Sequence, residues 1–332
     1  MKLAGSQRAK LQIGLRARFL LLAASLFISA AIGEIGLRIF FHETFGTEKD
    51  EKNLMYQYDS QLGWFPVPNS QNTFTGSRTI TIRHNSRGLR DVEPMKTGKP
   101  GILFLGDSFV WGVDVEASER FTDKLQARHP EWSIYNFGVS GYGTDQEYLL
   151  LGKHFDEYKP RVVFLIFCSS NDDSDNCWNV RGGYYKPYCT LSGTTLKLEG
   201  IPVPHSCKWF FAKHRTLCKS YLMRLFVTAC YRVAAPAPVK HENPTGAIIR
   251  DLQKYLELRG ATFLIGLQHE HPHLEEFLRY FKIPYVDLTT SLVYDSFGAH
   301  WTPEGHTFVC NKIEKFLSEG KYMDQATPTM SH

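Results

Sequence analysis

The segment Val162–Phe167 has the sequence VVFLIF, and none of its six side chains is suited to contact with water. A strand with one solvated face alternates apolar and polar residues, whereas a strand of a parallel sheet covered on both faces is apolar throughout. Four more short apolar runs lie at 102–105, 134–137, 263–265 and 285–286. The chain therefore carries five candidate strands of one buried sheet.

Apolar residues with helical spacing lie between or after these runs. Ile248, Leu252 and Leu256 recur every four residues, and residues 308–317 show a similar pattern near the C-terminus. Strands that alternate with such helices predict an α/β fold with a parallel sheet, whose ligands bind at the carboxyl ends of the strands. Alternation of polar and apolar residues at 79–83 predicts one further strand, half-buried, ahead of the sheet.

The positive charge of the chain is concentrated at its start. The first 18 residues contain Lys2, Arg8, Lys10, Arg16 and Arg18 and no acidic residue. The remainder holds 33 basic and 34 acidic residues, so it is close to neutral. Because binding to nucleic acid requires a basic patch or stripe, this neutral body argues against a nucleic-acid partner.

An apolar stretch at 19–33 follows the basic start, and Glu34 and Arg38 precede a second apolar stretch that ends at Phe41. A membrane-spanning helix needs about 20 apolar residues, so residues 19–41 are predicted to form a transmembrane anchor. A cleaved signal peptide and a buried core helix are the alternatives. No clear cleavage site is present, and the basic flank fits a core helix poorly. The positive charges then predict that residues 1–18 lie in the cytoplasm. The residues after the anchor are predicted to lie outside the inner membrane, facing the periplasm or exterior.

The chain has seven cysteines: Cys168, Cys177, Cys189, Cys207, Cys218, Cys230 and Cys310. Five of them fall between residues 177 and 230, which predicts disulfides in an oxidising compartment. The first pairings to expect are Cys177 with Cys189 and Cys207 with Cys218, with buried free thiols as the alternative. Because no C-x-x-C occurs, a zinc or thioredoxin-like site is not expected.

The alternation of strands and helices is interrupted at about 174–243, a stretch rich in Cys, Tyr, Gly and Pro. It is predicted to be an insertion after the third strand that overhangs the active site. The predicted organisation is a cytoplasmic basic tail (1–18), a transmembrane anchor (19–41), a stalk with a strand segment (42–95), the main domain (96–320) and a flexible tail (321–332).

The first chemical motif, Gly106-Asp107-Ser108, directly follows the first strand of the sheet. A serine at a strand-to-helix turn can direct its hydroxyl into the cleft and leave its own N–H free to hold an oxyanion. Taken alone, this serine is more typical of a helix cap.

Two further motifs follow the second and third strands. Residues 136–146 have the sequence NFGVSGYGTDQ, whose glycines permit the close backbone approach that an oxyanion-binding N–H requires. A structural turn is the alternative, and the Gly-Lys-Ser/Thr ending of a phosphate loop is absent. After the third strand, Asn171 can supply a carboxamide donor, although an Asn-Asp pair is also typical of a turn.

The fourth motif, residues 300–306 with the sequence HWTPEGH, precedes the last predicted helix. Thr302 and Pro303 are typical of a helix N-cap and first turn. His300 then lies just outside the helix, where its imidazole can face the cleft. His306 falls inside the helix, as a packed or surface residue.

Together the four motifs resemble the four sequence blocks of the SGNH (GDSL-like) hydrolases, in order and in placement around the strand ends over residues 100–318. Residues 62–64 and 85–91 also resemble a leader of membrane-anchored members. The resemblance implies a flavodoxin-like three-layer α/β/α sandwich with a parallel five-stranded sheet.

The resemblance also implies roles for individual residues. Ser108 is the implied nucleophile and His300 its base. The implied oxyanion hole consists of the N–H groups of Ser108 and Gly141 and the side chain of Asn171. Neither a cofactor nor a metal is implied.

Two positions depart from the family pattern. Ser169 stands where a glycine is usual, two places before Asn171. The acid that orients the base normally lies two or three residues before the histidine, where this chain has Gly298 and Phe297. Asp295 is the nearest carboxylate and the candidate third member of a triad. The alternative is a Ser–His dyad whose imidazole is oriented by a backbone carbonyl.

Three histidines, His269, His271 and His273, follow the fourth strand of the sheet. This spacing is compatible with metal binding, but the loop setting and Pro272 favour a cleft wall or substrate contacts.

The sequence therefore predicts a serine esterase that hydrolyses acyl, chiefly acetyl, esters of a cell-envelope glycan or lipid. An O-acyltransferase acting on an envelope polysaccharide and a non-catalytic envelope assembly protein on the same fold are the alternatives.

Overall fold

The structure is a computed structural model that describes residues 14–45, 55–94, 98–193, 195–295 and 298–324. Contacts divide the chain into a first unit, Met1–Lys49 with Phe210–Ala234, and a second unit, Asp50–Trp209 with Ala235–His332. The predicted tails at 1–18 and 321–332 lie largely outside the described residues. The predicted domain boundaries stay predictions.

The elements are numbered in chain order. The described helices are α1 (Leu15–Phe40), α2 (His42–Phe45), α3 (Ser108–Trp111), α4 (Phe121–Arg128), α5 (Thr144–Tyr158), α6 (Asp172–Asn176), α7 (Cys207–Lys213), α8 (Tyr221–Ala234), α9 (Thr245–Glu257), α10 (Pro272–Tyr280) and α11 (Pro303–Glu319). The described strands are β1 (Tyr56–Asp59), β2 (Gly63–Pro66), β3 (Gln71–Thr75), β4 (Thr79–Arg83), β5 (Gly101–Gly106), β6 (Ser133–Gly138), β7 (Val162–Phe167), β8 (Val180–Arg181), β9 (Tyr184–Tyr185), β10 (Tyr188–Ser192), β11 (Thr195–Glu199), β12 (Thr262–Leu267) and β13 (Tyr285–Asp287).

The five predicted apolar runs form one parallel sheet in the order β13-β12-β7-β5-β6. Read from β6 and numbered by position in the chain, the five strands of the sheet lie in the order 2-1-3-4-5, which is the flavodoxin-like order. The central strand β7 is buried at all six positions, as its uninterrupted apolar sequence predicts. The predicted fold is therefore confirmed.

Two hydrophobic cores lie on opposite faces of the sheet. Leu103 and Leu105 of β5 belong to one core, with residues of α5, α9 and α10. Ile102 and Phe104 belong to the other, with residues of α4 and α11. Because neighbouring residues of a strand point to opposite faces, the same strand supplies both cores, and the helices complete an α/β/α sandwich.

The sheet order places the predicted motifs next to one another. Strand β5 pairs with β6 on one side and with β7 on the other. Because the three strands are parallel, the segments that follow them emerge at the same edge of the sheet. The turn that begins α3 is therefore flanked by the segments after β6 and β7. Ahead of the sheet, the predicted strand at 79–83 is β4, with Ile80 and Ile82 buried.

The predicted insertion at about 174–243 contains hairpins and helices. Strand β8 pairs with β9, and β10 pairs with β11. Between the two hairpins, the Lys186 ammonium donates to the Asp145 carboxylate at the start of α5, and both side chains are completely buried. This ion pair joins the insertion to the sandwich.

The predicted disulfides are not present, because among the described residues, which include all seven cysteines, no disulfide bond joins any pair. In the pair predicted first, the Cys177 thiol donates to the Asp173 carbonyl oxygen (3.0 Å), within the turn of α6. Cys189 is buried in β10, where burial raises the pKa of its thiol to about 12. In the other predicted pair, Cys218 is also buried. Three of the five clustered cysteines, Cys177, Cys189 and Cys218, therefore pack as small buried side chains, whereas Cys230 is exposed.

Helix α1 has 26 residues, none of them buried, and a mean hydropathy of 2.0 over its most apolar part. By length and composition it is able to cross a membrane, and a signal sequence has the same properties. Because none of its residues is buried, this helix does not fit the alternative of a buried core helix.

Candidate active site

Ser108 is the first residue of α3, directly after β5. Asp107 caps this short helix by accepting a hydrogen bond from the Phe109 N–H (3.0 Å). The Ser108 Oγ lies 2.9 Å from the Nε2 of His300, although the two residues are 192 positions apart. A serine hydroxyl hydrogen-bonded to an imidazole is the arrangement of a nucleophile with its general base.

His300 is held at the end of a closed loop. The Tyr294 N–H donates to the His300 carbonyl oxygen (2.8 Å), and Val293 forms an antiparallel bridge with Trp301. The next residue, Thr302, is the N-cap of α11, as the sequence predicts. These contacts place the imidazole outside the helix.

The turn before His300 requires a glycine. Gly298 has a φ of +89°, and a Cβ built on it would lie 2.6 Å from the Cε1 of His300. The backbone therefore passes directly over the imidazole at a point where a side chain has no room.

The Asp295 side chain is exposed. Within the described residues, no hydrogen bond or ion pair joins it to His300. Residues 296–297 lie outside the described part. The role of Asp295 as the triad acid stays a prediction.

The three predicted oxyanion donors follow three adjacent strands. Gly141 has a φ of +79°, a left-handed conformation that glycine adopts without strain. In the described part of the chain, neither its N–H nor that of Ser108 donates to another residue. The Asn171 Nδ2 donates to the Asp107 Oδ2 (3.2 Å), which brings this carboxamide to the residue preceding Ser108.

Asn136 and Gly138 attach the end of β6 to the short helix α3, which begins with Ser108. The completely buried Asn136 side chain donates to the Val110 carbonyl oxygen (2.8 Å) and the Thr122 Oγ1 (2.9 Å), and it accepts from the Gly138 N–H (3.0 Å). A Cβ added to Gly138 would lie 2.2 Å from the Trp111 backbone nitrogen. The Asn-x-Gly pattern is the sequence signal for this contact. No individual role was predicted from the sequence for Asn136 or Gly138.

Two buried arginines bind the carboxyl end of α3. Arg90 donates to the carbonyl oxygens of Trp111 (2.9 Å) and Gly112 (2.5 Å). Arg120 donates to the same Trp111 carbonyl oxygen (3.3 Å) and to the Arg90 carbonyl oxygen (2.5 Å). The bonds to Trp111 and Gly112 satisfy carbonyls that a helix end leaves without intrahelical partners. Sequence reasoning missed both roles. Arg90 lies in the leader-like segment 85–91, and Arg120 has no local signal.

Two buried histidines near this turn are neutral. The His84 Nδ1 lies 3.0 Å from the Ser70 Oγ, and burial, together with Arg90 and Arg120, lowers the pKa of His84 to about 4. In α11, the His306 Nδ1 accepts from the Phe121 N–H (3.3 Å), and burial lowers its pKa well below the usual value. His306 is therefore a packed residue.

The three histidines after β12 differ in their surroundings. The His271 Nε2 lies 2.8 Å from the Asp173 Oδ2, and its Nδ1 accepts from the Leu274 N–H (3.2 Å) as the N-cap of α10. His269 and His273 are exposed. Among the described residues, no group of three or more His, Cys, Asp or Glu has a geometry that holds a metal.

A cavity of about 520 Å³ lies beside the proposed catalytic residues, lined by Ser169, Ser170, Gln268, His269, Glu270, Gly298 and Ala299. Two of its lining segments directly precede Asn171 and His300 in the chain. Its volume lies within the range of sites for small ligands.

Comparison with solved structures returns chains described as esterases and lipolytic proteins. The psychrotrophic esterase EstA from Pseudoalteromonas sp. is 11% identical, with 67% of this chain and 99% of that chain covered and a TM-score of 0.40. A lipolytic protein of the G-D-S-L family from Desulfitobacterium hafniense is 10% identical, with 66% and 100% covered and a TM-score of 0.39. A two-domain esterase active on acetylated mannans is 12% identical, with 70% and 52% covered and a TM-score of 0.37. Neither a protein-family model nor a curated protein matches the sequence.

Proposed function

We propose that the chain is a serine hydrolase of the SGNH type that cleaves acyl, chiefly acetyl, esters. The observation that carries this proposal is the 2.9 Å contact between the Ser108 Oγ and the His300 Nε2. The two residues belong to separate motifs, and the contact forms at the carboxyl edge of the sheet, where α/β folds bind ligands.

In the proposed reaction, His300 removes the Ser108 proton while the Oγ attacks the ester carbonyl. The N–H groups of Ser108 and Gly141 and the Asn171 side chain donate to the oxyanion of the tetrahedral intermediate. The alcohol leaves with the proton held by His300. Water, deprotonated by His300, then attacks the acyl-enzyme, the bond to the Ser108 Oγ breaks, and His300 returns the proton to this oxygen as the acid leaves. Loss of one oxyanion donor typically lowers turnover by about 100- to 1000-fold.

The Asn171 carboxamide suits this role because its nitrogen carries two hydrogens. One of them is directed at the Asp107 Oδ2 (3.2 Å), which orients the side chain. The other hydrogen remains for the oxyanion. Asp107 thus acts as a positioning residue for two groups. It orients the Asn171 side chain, and it caps the helix that begins with Ser108.

Two arrangements are compatible with the orientation of His300. Asp295 belongs to the same closed loop and is the candidate acid of a triad. The exposure of its side chain supports the alternative, a dyad in which the loop backbone orients the imidazole.

The proposed substrate is an acylated glycan or lipid of the cell envelope. This follows from the proposal that α1 anchors the chain in the inner membrane, with its basic start in the cytoplasm. The polar side chains of Ser170, Gln268 and Glu270 in the cavity suit an alcohol that carries further hydroxyl groups. The same cavity supports a second candidate function, transfer of the acyl group to a sugar hydroxyl bound there.

The test compares the full-length protein with its Ser108→Ala and Ser206→Ala variants. Ser206 is a buried serine outside the proposed site, where its Oγ donates to the Gly183 carbonyl oxygen (2.6 Å). We expect Ser108→Ala to abolish both hydrolysis of p-nitrophenyl acetate and labelling by a fluorophosphonate, and Ser206→Ala to retain both. Wild-type hydrolysis by the Ser108→Ala variant contradicts the proposal.

Hydrolase and transferase are distinguished by the product. With an acetyl ester as donor, the hydrolase releases free acetate whether or not oligosaccharides are present. The transferase leaves an acetyl group on the added oligosaccharide, which mass spectrometry detects.

A further inference from the structure

Glu34 lies within the apolar helix α1, where an ionised side chain is costly unless it is paired. Its carboxylate accepts hydrogen bonds from the Ser220 Oγ (2.9 Å), the Tyr221 N–H (3.0 Å) and the Leu222 N–H (3.0 Å). The Arg38 Nε donates to the same carboxylate (2.8 Å). A side chain of α1 therefore caps the first turn of α8, a helix 187 residues away in sequence.

Other contacts hold the same helix end. Arg38 donates to the Lys219 carbonyl oxygen (2.6 Å), and its guanidinium lies 4.8 Å from the centre of the Tyr221 ring. The Tyr221 hydroxyl lies 3.0 Å from the His42 Nδ1. These polar groups attach the start of α8 to the last third of α1 and to the first residue of α2.

The position of Glu34 along α1 sets the depth of this attachment. A helix rises 1.5 Å per residue, so about 22 Å separate Glu34 from the start of the apolar segment at Phe19. The hydrocarbon core of a bilayer is about 30 Å thick. If α1 spans the membrane from Phe19, then Glu34 lies about 8 Å inside the far boundary of the hydrocarbon core. This depth is within the range of about 5 to 10 Å at which in-plane amphipathic helices lie.

Helix α8 presents an exposed apolar face. Leu225, Phe226, Ala229, Cys230 and Val233 recur with helical spacing, and all five are exposed. Phe226 is 65% exposed and Val233 is 91% exposed. A soluble surface rarely carries such a continuous apolar stripe.

Charge complements this apolar face. Residues 210–234 contain five basic residues and no acidic residue. Four of the five, Lys213, Arg215, Lys219 and Arg232, are exposed. An apolar helix face combined with basic residues is typical of helices that lie in the plane of a membrane with anionic lipid.

We propose that α8 is an in-plane membrane helix whose exposed apolar face contacts phospholipid at the end of the α1 span. The inference rests on α1 as a membrane span and is independent of the esterase activity. Glu34 acts as the connection that holds α8 at this depth. The insertion then provides a membrane attachment in addition to α1.

The test uses the full-length protein in nanodiscs of phosphatidylcholine and phosphatidylglycerol. The photoreactive residue p-benzoylphenylalanine replaces Phe226 in one version, Leu21 of α1 in a second, and Leu258 in a third. Leu258 is an 83% exposed apolar residue of the second unit and serves as the control for exposure alone. Circular dichroism and resistance to limited proteolysis equal to those of the wild type confirm that each version is folded.

After irradiation, we expect mass spectrometry to find a phospholipid adduct at positions 226 and 21 and none at 258. An adduct at 21 without one at 226 overturns the inference, as does crosslinking of position 226 to a second copy of the chain. An equal yield at 258 also overturns it, because exposure alone then explains the adduct. Absence of lipid at both 21 and 226 refutes the anchor itself and the inference with it.

The role of Glu34 is tested in the same system. In the version labelled at position 226, Glu34→Ala removes the cap of α8, and we expect the lipid adduct there to fall several-fold. The adduct at position 21 is expected to remain unchanged. An unchanged yield at 226 excludes Glu34 as the connection.

Discussion

Replacement of Gly138 by alanine tests whether the end of β6 positions the nucleophile. A Cβ at this position would lie 2.2 Å from the Trp111 backbone nitrogen, 2.5 Å from the Val110 carbonyl carbon and 2.8 Å from the Trp111 Cα. All three atoms belong to the backbone of the helix that starts with Ser108. Since non-bonded carbon contacts are about 3.5 to 4.0 Å, the strand and the helix must separate by about 1 Å.

Both stability and turnover should respond. Overpacking of a filled interior typically costs about 1 to 3 kcal/mol, so we expect the free energy of unfolding to fall by that amount. A displacement of about 1 Å in a catalytic group can lower the rate about 100-fold. We therefore expect a similar loss in kcat/KM for p-nitrophenyl acetate, measured alongside urea unfolding.

Gly152 provides the matched control. It is an exposed residue within α5, and a Cβ added there meets no atom within 4 Å. We expect Gly152→Ala to raise stability by about 0.5 to 1 kcal/mol, because alanine favours the helix, and to leave kcat/KM unchanged. Wild-type turnover and stability in Gly138→Ala would refute the proposed positioning contact.

Three further predictions concern other residues. Asp295→Asn should lower kcat/KM only a few-fold, because the Asp295 side chain is exposed. A loss of kcat/KM as large as that caused by His300→Ala would instead establish the triad. Burial lowers the pKa of His84 from 6.5 in the unfolded chain to about 4 in the folded protein. As the pH drops from 6.5 to 4, the unfolded chain therefore binds a proton that the folded protein does not, and stability falls. His84→Gln should remove on the order of 3 kcal/mol of this loss in urea unfolding across that range, and an unchanged pH profile contradicts the assignment. Lys186→Met should lower the free energy of unfolding by about 3 to 5 kcal/mol, because it leaves the Asp145 carboxylate buried without its ion-pair partner. Adding Asp145→Leu should restore much of the lost melting temperature. Equal melting temperatures for the single and double variants would be inconsistent with this.

Features with a local signal were predictable from the sequence. Apolar runs without polar interruption predict buried strands, and the Thr-Pro pair at 302–303 predicts the start of α11, because burial and capping depend on a few neighbouring residues. The order of the four motifs then indicated which strand ends carry the chemistry. Cysteine spacing was misleading, because proximity along the chain says little about whether two sulfur atoms meet.

Tertiary structure decided which of these residues come together. The contact between Ser108 and His300 spans 192 positions, and the cap that Glu34 places on α8 spans 187. Arg90 and Arg120 act on carbonyl groups, which every residue possesses, so no side-chain pattern in the sequence indicates their partners. Such contacts depend on how distant elements pack, and that packing is determined by the summed burial of both cores and not by any short segment.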